Sequence, residues 1–276
     1  MVNTAGKEDE SVAKQFLSDH AVRCTAERFS VIKIPMSSTV QVTLWLYATA
    51  LRRSWESLLK NWVVSFAPWA YAALLSILAF VVAPLGIIGG LVLAVATQAC
   101  ISSGLHLIKN IVEGGRADLK DFINGFTVYI WELLGIAFIL WIPMRVLTMA
   151  LASVPNGALI FALIQIAVFI LLNPVPELIY QTRSSALGLI SDSYTFIVEN
   201  WLEWLLPNFV LTALGYLILN ILNAITAGLP VAVQIFIVAV GMGLCLSYFM
   251  IFRGFLFAEL HGSTRRSRAY RYKAQG

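Results

Sequence analysis

Residues 61–108 read NWVVSFAPWAYAALLSILAFVVAPLGIIGGLVLAVATQACISSGLHLI and contain no Asp, Glu, Lys or Arg. A helix needs about 20 apolar residues to cross the roughly 30 Å hydrocarbon core of a bilayer, so this stretch is long enough for two crossings. Pro84 and Gly86 lie near its middle and indicate a tight turn. The pattern predicts a transmembrane hairpin, with TM1 over 62–82 and TM2 over 86–107.

Residues 204–252 have the same character, because no charged side chain occurs in them. Gly228 and Pro230 lie near the middle of this second stretch and again indicate a turn. The pattern predicts a second hairpin, with TM5 over 205–224 and TM6 over 231–252.

A third hairpin is expected between these two. Residues 122–176 contain only two charged side chains, Glu132 and Arg145. A Val-Pro-Asn-Gly turn divides the stretch into TM3 over 127–151 and TM4 over 158–180. Proline interrupts helical hydrogen bonding, so the helices are expected to kink or unwind locally at Pro143, Pro174 and Pro176. The chain is therefore expected to be an all-α polytopic membrane protein with six transmembrane helices in three hairpins.

The composition agrees with this class. Of the 276 residues, 59% are hydrophobic and only 12% are charged, whereas a soluble domain carries roughly 25% charged residues. The mean hydropathy is +0.80. Much of the surface is therefore expected to lie in lipid.

Basic residues are concentrated in the segments that would share one side of the membrane. The three turns on the opposite side carry no charge. Cytoplasmic loops are enriched in Lys and Arg, so the pattern predicts that both termini are cytoplasmic. The basic residues concerned are Arg52, Arg53, Lys60, Lys109, Arg116, Lys120, Arg183, Arg253, Arg265, Arg266, Arg268, Arg271 and Lys273.

Two terminal segments flank a predicted transmembrane domain over 38–260. Residues 1–37 are expected to be a cytoplasmic N-terminal segment, since their mixed charge does not match a signal peptide. Residues 261–276 form a basic cytoplasmic tail, which could bind anionic lipid or dock on an acidic partner. No nucleic acid partner is expected. The expected location is the inner membrane of a bacterium.

Two amphipathic segments, 38–61 and 183–204, are expected to be helices on the membrane surface. In each segment apolar residues recur every three or four positions, which forms one stripe along a helix. Tryptophan and tyrosine in these stripes suit the headgroup region. The alternative is an amphipathic helix packed on a soluble domain. The stripes are Val40, Leu44, Tyr47, Leu51, Trp55, Leu58 and Trp62, and Leu187, Ile190, Tyr194, Ile197, Trp201 and Trp204.

The two amphipathic segments also share a sequence pattern. Residues 54–63 align without a gap with residues 193–202, which pairs Asn61-Trp62 with Asn200-Trp201. A proline follows each asparagine at the same distance, at 68 and at 207. The pattern predicts two parallel repeats, each a surface helix followed by a hairpin, with the asparagine and tryptophan at the structural junction. This layout resembles that of several broad groups of uncharacterised bacterial membrane proteins.

Four residues form a candidate intramembrane polar site. Arg145 is a charge deep in the predicted membrane, where charged side chains are functional candidates. Glu132 and Glu177 are expected at similar depth, where they could relay protons, bind a cation or pair with a basic residue. Asn173 precedes the Pro174 and Pro176 helix break, and broken helices line sites in transporters. Snorkelling, boundary carboxylates and a plain bend are the structural alternatives.

The sequence contains no common catalytic motif, and neither catalytic, cofactor-binding nor metal-binding residues are expected. Two functions fit these observations best, and a membrane-embedded enzyme ranks third. The first is a non-enzymatic membrane subunit or scaffold that assembles with partner membrane proteins and contacts membrane lipids. The second is a permease or lipid-handling transporter with a site near Arg145 and the broken TM4. A continuous polar path would favour transport, and its expected residues are Arg145, Gln98, Gln165 and Asn220.

Overall fold

The computed structural model describes residues 36–182 and 184–275. The chain divides into two units, Met1–Gln41 and Val42–Gly276. Of the first unit, only the beginning of one helix is described. Residues 1–35 of the predicted N-terminal segment and Arg183 therefore lie outside the described residues. All contacts given below belong to the second unit.

The described residues form ten α-helices and no strand. Short 3-10 segments at Trp62–Phe66, Ala83–Leu85 and Gly125–Thr127 connect some of them. In chain order the helices are α1 Met36–Lys60, α2 Ala67–Val82, α3 Ile87–Gly114, α4 Leu119–Asn124, α5 Ile130–Leu151, α6 Gly157–Leu171, α7 Val175–Gln181, α8 Ala186–Thr226, α9 Val231–Leu260 and α10 Arg265–Gln275.

Six helical segments are long and apolar enough to cross a membrane. The prediction of an all-helical chain with six candidate membrane spans is therefore confirmed for the described residues. The segments are Trp62–Leu85, Ile87–Gly114, Ile130–Leu151, Gly157–Gln181, Ala186–Thr226 and Val231–Leu260.

The connection between α2 and α3 shows why a turn can be so short. Gly86 adopts φ +56°, a left-handed conformation that residues with a side chain rarely adopt. Three residues later, Gly89 lies against the carbonyl of Val82, where a Cβ atom would collide with the backbone. The chain can reverse here because neither position carries a side chain.

Helices α3 and α9 are central to the second unit. Helix α3 contacts α2, α4, α5, α7 and α9, while α9 also contacts α2, α7 and α8. The buried apolar core lies mainly where the C-terminal halves of α3 and α9 meet α7 and the first half of α8. Its members include Ile108, Ile111, Leu178, Leu189, Phe196, Ile251, Leu256 and Leu260.

The core lies at one end of the second unit, which we call the charged end. Contacts between Arg53 and Glu259, between Asn61 and Gly115, and between Glu203 and Arg265 define this end. Toward the other end, large apolar side chains are exposed on several helices, among them Phe80, Met149, Leu159 and Ile235. Such a surface is stable against lipid chains rather than water.

Several helix bounds differ from those expected. The predicted surface helix 183–204 and TM5 over 205–224 form the single helix α8, with a non-helical residue at Asn200. Helix α9 continues to Leu260, beyond the predicted end of TM6 at 252. Pro143 lies inside α5 without ending it, whereas α6 ends at Leu171 and α7 begins only at Val175. One proline removes a single helical hydrogen bond, while two prolines spaced by one residue remove two.

Candidate functional site

A buried ion pair joins α7 to α9. Arg253 Nε and Nη2 donate to Glu177 Oε1 and Oε2, each at 2.7 Å. Glu177 is 0% exposed and Arg253 is 7% exposed. The two parallel hydrogen bonds use the planar fork of the guanidinium, which is the strongest geometry for an arginine and a carboxylate.

The helix break before α7 supplies a third acceptor for this arginine. Arg253 Nη2 also donates to the carbonyl oxygen of Asn173 at 2.6 Å. The Asn173 side chain accepts a hydrogen bond from Trp204 Nε1 at 2.8 Å. A backbone carbonyl outside regular helical bonding needs another donor when it is buried. The break thus places a free carbonyl where Arg253 can reach it.

Aromatic rings complete the surroundings of the guanidinium. The Arg253 Cζ atom lies 5.1 Å from the centre of the Trp204 ring and 5.5 Å from that of Phe249. Rings at this distance attract a cation through their negative faces. Glu177, Arg253, Asn173, Trp204 and Phe249 form what we call the Arg253 cluster. The charges of Glu177 and Arg253 cancel within it.

A second polar cluster connects α8 with the C-terminal helix α10. Arg265 Nη2 lies 2.8 Å from Glu203 Oε1, and Arg268 Nη2 donates to Asn200 Oδ1 at 3.2 Å. Glu203 and Arg268 are both buried, and their Oε2 and Nε atoms have no hydrogen-bond partner among the described residues. The basic tail therefore packs back onto the protein.

Burial changes two ionisation equilibria beside this second cluster. Burial and, to a smaller extent, the neighbouring Glu203 carboxylate together raise the pKa of Tyr47 to about 12. The Tyr47 hydroxyl donates to the Glu203 carbonyl at 3.1 Å. Burial also lowers the pKa of the Arg268 guanidinium, while Glu203 acts in the opposite direction. Tyr47 therefore keeps its proton at neutral pH.

Asn61 and Asn200 adopt nearly the same backbone conformation, with φ/ψ of −122°/30° and −129°/19°. Each side-chain amide donates to the carbonyl four residues earlier, at 2.9 Å and 3.3 Å. Each is 4% exposed, while the following residues, Trp62 and Trp201, are both 56% exposed. A buried asparagine beside an exposed tryptophan therefore occurs at both positions where the helix direction changes.

The partners of the two asparagines also lie at similar places. Asn61 Oδ1 accepts from the Ala117 amide at 3.0 Å, just after α3 ends. Asn200 Oδ1 accepts from the Arg268 side chain, which belongs to α10, the helix that follows α9. Gly115 and Gly262 follow these two helices and both have positive φ, +74° and +66°. We call each position where the helix direction changes an asparagine elbow. Each asparagine thus connects its elbow by a hydrogen bond to the segment beyond a long helix.

The four expected polar-site residues separate into two groups. Asn173 and Glu177 meet in the Arg253 cluster. Arg145 is exposed on α5 and forms no hydrogen bond or ion pair with any other described residue. Glu132 is half-buried at the beginning of α5, also without such a partner in the described chain. The partner of Glu177 is therefore Arg253, and no contact joins Glu177 to Glu132.

The sequence patterns do not predict that Arg253, Glu203 and Arg268 belong to buried clusters. The predicted end of TM6 at 252 places Arg253 among the basic residues that flank the span. The following residues Gly-Phe-Leu-Phe-Ala are apolar and signalled that the helix continues. Glu203 follows Glu199 on the polar face of the predicted amphipathic helix, and Arg268 lies in a basic tail, so neither position predicts burial.

A cavity of about 680 Å³ lies beside the Arg253 cluster, between α6, α8 and α9. We call it the Asn173 cavity. Its walls are mostly apolar, and exposed rim residues such as Phe169 and Phe209 open it toward the lipid-facing surface. Its polar lining residues are Asn173, Asn208, Thr212 and Arg253.

The described residues thus form an all-helical protein with six candidate membrane spans and with buried polar clusters at one end. Among the described residues, no three His, Cys, Asp or Glu side chains form a group that could hold a metal ion. No protein-family model, curated protein or solved structure matches the chain.

Proposed function

We propose that this protein is a non-enzymatic membrane subunit or scaffold that binds a partner membrane protein through α5. The observation that carries the proposal is Arg145, which is exposed in a candidate span and has no partner in the described chain. Arg145 precedes Leu151, the last residue of α5, by about 9 Å along the helix axis, given a rise of about 1.5 Å per residue.

An unpaired arginine at this depth has a physical consequence. A charged side chain in the hydrocarbon region costs about 2.5–3.5 kcal/mol on insertion scales and normally faces a polar partner. A carboxylate in a spanning helix of another protein would provide that partner. Binding would remove the Arg145 side chain from lipid. The carboxylate would accept two parallel hydrogen bonds from the planar guanidinium group.

Two further polar side chains favour an interface rather than an internal path. Gln165 on α6 and Asn220 on α8 are both exposed, and α5, α6 and α8 contact one another. Among the described residues, Asn220 bonds only to the carbonyl of Tyr216 in its own helix. Side-chain amides on spanning helices form hydrogen bonds across helix–helix contacts. The expected polar path would instead need these groups to face one another inside the chain.

The proposal includes an orientation and a location. Basic side chains such as Lys60, Lys109 and Arg265 flank the spans near the charged end, which supports a cytoplasmic position for that end and for both termini. The inner membrane of a bacterium is the proposed location. The exposed Leu44, Trp55 and Trp62 support a membrane-surface position for α1.

The proposal also includes three hairpins and two parallel repeats. Consecutive spans α2–α3, α5–α6 and α8–α9 contact each other, which supports the hairpins. The matched conformations and bonds of Asn61 and Asn200 support the repeats. Each repeat would consist of a surface helix, an asparagine elbow and a hairpin, followed by a segment that docks on the elbow.

Site-specific photo-crosslinking tests the subunit proposal. We would place a photoreactive amino acid at Val146, which is exposed next to Arg145, and at Phe80, which is exposed on α2. We expect Val146 to form one discrete adduct with an integral membrane protein that has an acidic residue in the crosslinked span. Arg145→Ala should abolish the adduct. Equal crosslinking from Val146 and Phe80, or an adduct that persists in Arg145→Ala, would contradict the proposal.

A lipid-handling transporter is the second candidate, and the Asn173 cavity beside the broken helix favours it. Arg145 does not line this cavity, so the two parts of the earlier site hypothesis are separate. Reconstitution with a fluorescent phospholipid tests this candidate. Transfer between leaflets that requires the protein and stops in Asn173→Ala would favour transport over the subunit proposal.

A further inference from the structure

A cavity of about 430 Å³ lies beside the asparagine elbow at Asn61, at the charged end. We call it the elbow cavity. Nine of its ten lining residues are apolar, and the tenth is Asp118. A dry cavity of about 150 Å³ holds benzene, so this volume holds roughly 17 non-hydrogen atoms, which is close to one long acyl chain. Exposed rim residues such as Val63 and Leu119 give a chain in the bilayer direct access.

Exposed charges of both signs lie at this cavity. Asp118 lines it and is exposed, and Lys60 and Arg116 are exposed beside it. None of these three side chains forms an ion pair with another described residue. Asp118 begins α4 as its N-cap, a role for which one carboxylate oxygen is sufficient, so the other oxygen is free for a ligand. The next two charges, Lys120 and Asp121, are opposite in sign and cancel.

The hydrogen bonds of Asn61 hold the three charges close together. Its side chain donates to the carbonyl of the residue before Arg116 at 3.1 Å and accepts from the amide of the residue after it at 3.0 Å. Lys60 directly precedes Asn61 in the chain. Consecutive Cα atoms are about 3.8 Å apart, so the Cα atoms of Arg116 and Asp118 lie within roughly 8 Å. Lysine and arginine side chains are long and flexible, so both cations can reach a ligand bound at Asp118.

This mixture of signs limits the headgroup. A phosphate is attracted to Lys60 and Arg116, and a guanidinium donates two parallel hydrogen bonds to it. Asp118 repels a headgroup that is only anionic, but it accepts hydrogen bonds from a positively charged amine. A primary ammonium has three N–H donors, whereas a quaternary ammonium has none. A headgroup with both a phosphate and a primary ammonium therefore matches all three side chains.

We infer that the elbow cavity binds a phospholipid whose headgroup carries a phosphate and a primary ammonium, of the phosphatidylethanolamine type. The phosphate lies between Lys60 and Arg116, the ammonium donates to Asp118, and one acyl chain lies along Phe66 and Ala70. Basic pockets beside spanning helices recognise lipid headgroups in this way. The inference rests on the membrane-surface position proposed for α1. It is independent of the partner proposed for α5, because no residue of α5 lines the cavity.

The asparagine elbow at Asn200 has similar apolar walls but different charges. Glu199 occupies the position that corresponds to Lys60 and is exposed. Arg265 is already paired with Glu203. A phosphate would therefore meet an unpaired carboxylate at this elbow, and one such lipid per chain is expected. The wall residues that correspond by their spacing from the two asparagines are Val63, Phe66, Ala67 and Ala70 in the elbow cavity and Leu202, Leu205, Leu206 and Phe209 in the Asn173 cavity.

Titration of the purified full chain in detergent with lipid, followed by native mass spectrometry, tests the inference. The probes are dioleoyl phosphatidylethanolamine, phosphatidylcholine and phosphatidylglycerol, which share their acyl chains and phosphate. The choline headgroup lacks an N–H donor, and the glycerol headgroup lacks the positive charge. We expect one phosphatidylethanolamine per chain, bound about two- to fivefold more tightly than either other probe, as one exposed ion pair allows. Equally tight binding of phosphatidylcholine or phosphatidylglycerol would overturn the inference.

Variants at the charged residues assign the headgroup contacts. Asp118→Asn should remove the preference for phosphatidylethanolamine over phosphatidylcholine, because asparagine keeps the helix cap but not the charge. Lys60→Gln/Arg116→Gln should weaken binding of all three lipids about three- to tenfold, since two ion pairs to the phosphate are lost. Arg266→Gln is the control for the double variant, because Arg266 is an exposed cation on α10. A preference that persists in Asp118→Asn, or unchanged binding in the double variant, would overturn these assignments.

A further pair of variants tests whether the acyl chain occupies the elbow cavity. Ala70 lines the cavity and is exposed, so Ala70→Trp should fill the cavity and abolish binding of all three lipids. Ala162→Trp is the matched control, since Ala162 is exposed on α6 and does not line the cavity. Wild-type phosphatidylethanolamine binding by folded Ala70→Trp protein would show that the lipid binds elsewhere.

Discussion

Glu177 and Arg253 lie 76 residues apart in the chain and form a buried bidentate ion pair. The pair joins the short helix α7 to the long helix α9, and the carbonyl of Asn173 accepts a third bond. It connects a helix break to the centre of the bundle, so we expect it to contribute to stability as a unit.

Removal of one charge should be far more harmful than removal of both. We expect Glu177→Leu to lower the free energy of unfolding by about 3–5 kcal/mol, because Arg253 is left buried without its counter-charge. The double variant Glu177→Leu/Arg253→Met should recover most of this loss. Denaturant unfolding in detergent micelles measures both values. A double variant no more stable than Glu177→Leu would show that the pair does not act as a unit.

The two elbow asparagines should be equivalent in energy. Asn61→Ala and Asn200→Ala each leave a buried donor or acceptor unpaired, so each should lower the unfolding free energy by about 1–3 kcal/mol. Asn220→Ala is the matched control, since an exposed substitution usually changes stability by less than about 0.5 kcal/mol. Thermal unfolding of the three variants compares them directly. A loss of stability in only one of the two variants Asn61→Ala and Asn200→Ala would argue against equivalent roles of the two asparagines.

Arg145 variants separate binding of a partner from snorkelling. We expect Arg145→Ala to reduce recovery of the assembled complex while the amount of protein in the membrane is unchanged, because the side chain is exposed. Arg145→Lys should also reduce recovery, since lysine lacks the planar fork. Affinity purification in mild detergent measures recovery, with the exposed Arg52→Ala as control. Full recovery with lysine would indicate that a long positively charged chain is sufficient.

The proposed orientation predicts a labelling pattern for single cysteines. Cysteines at Val154 and Gly228 should react with a membrane-impermeant reagent from outside the cell, and one at Ser267 only after the cytoplasmic side is opened. Val154 is exposed, and no described atom lies within 4 Å of a Cβ placed on Gly228. Asn156 is avoided because its φ is +59°. Labelling of Ser267 from outside would refute the orientation.

Tyr47 predicts a dependence of stability on alkaline pH. Its pKa is raised from 10.0 to about 12 in the folded protein, so the folded state retains the proton more strongly than the unfolded chain does. The stabilisation of the folded state by protonated Tyr47 is fully present below pH 10 and is lost as the pH rises toward 12. The stability difference between wild type and Tyr47→Phe should therefore narrow over that interval. Unfolding curves at several pH values measure it, with the exposed Tyr270→Phe as control, and a constant difference would contradict the expectation.

The sequence by itself determined the class of the protein and the positions of its spans. Charge-free stretches, the Pro84–Gly86 and Gly228–Pro230 turns, and the Asn-Trp pairs are local properties that the residues specify wherever the chain folds. Hydrocarbon excludes unpaired backbone groups, so an apolar stretch of this length in a membrane must be helical. The unusual spacing of Pro174 and Pro176 likewise indicated where a helix breaks.

Only the tertiary structure decided which polar groups meet. The sequence predicts Arg253 as a flanking charge, whereas it lies inside α9, which continues to Leu260. The sequence predicts Arg145 as part of an intramembrane polar site, whereas its helix face is exposed. The burial of Arg268 depends on α10 packing back onto Asn200. Partners of this kind are set by which helix faces meet across the bundle. That choice depends on the packing of all the helices together, and no local pattern around either residue records it.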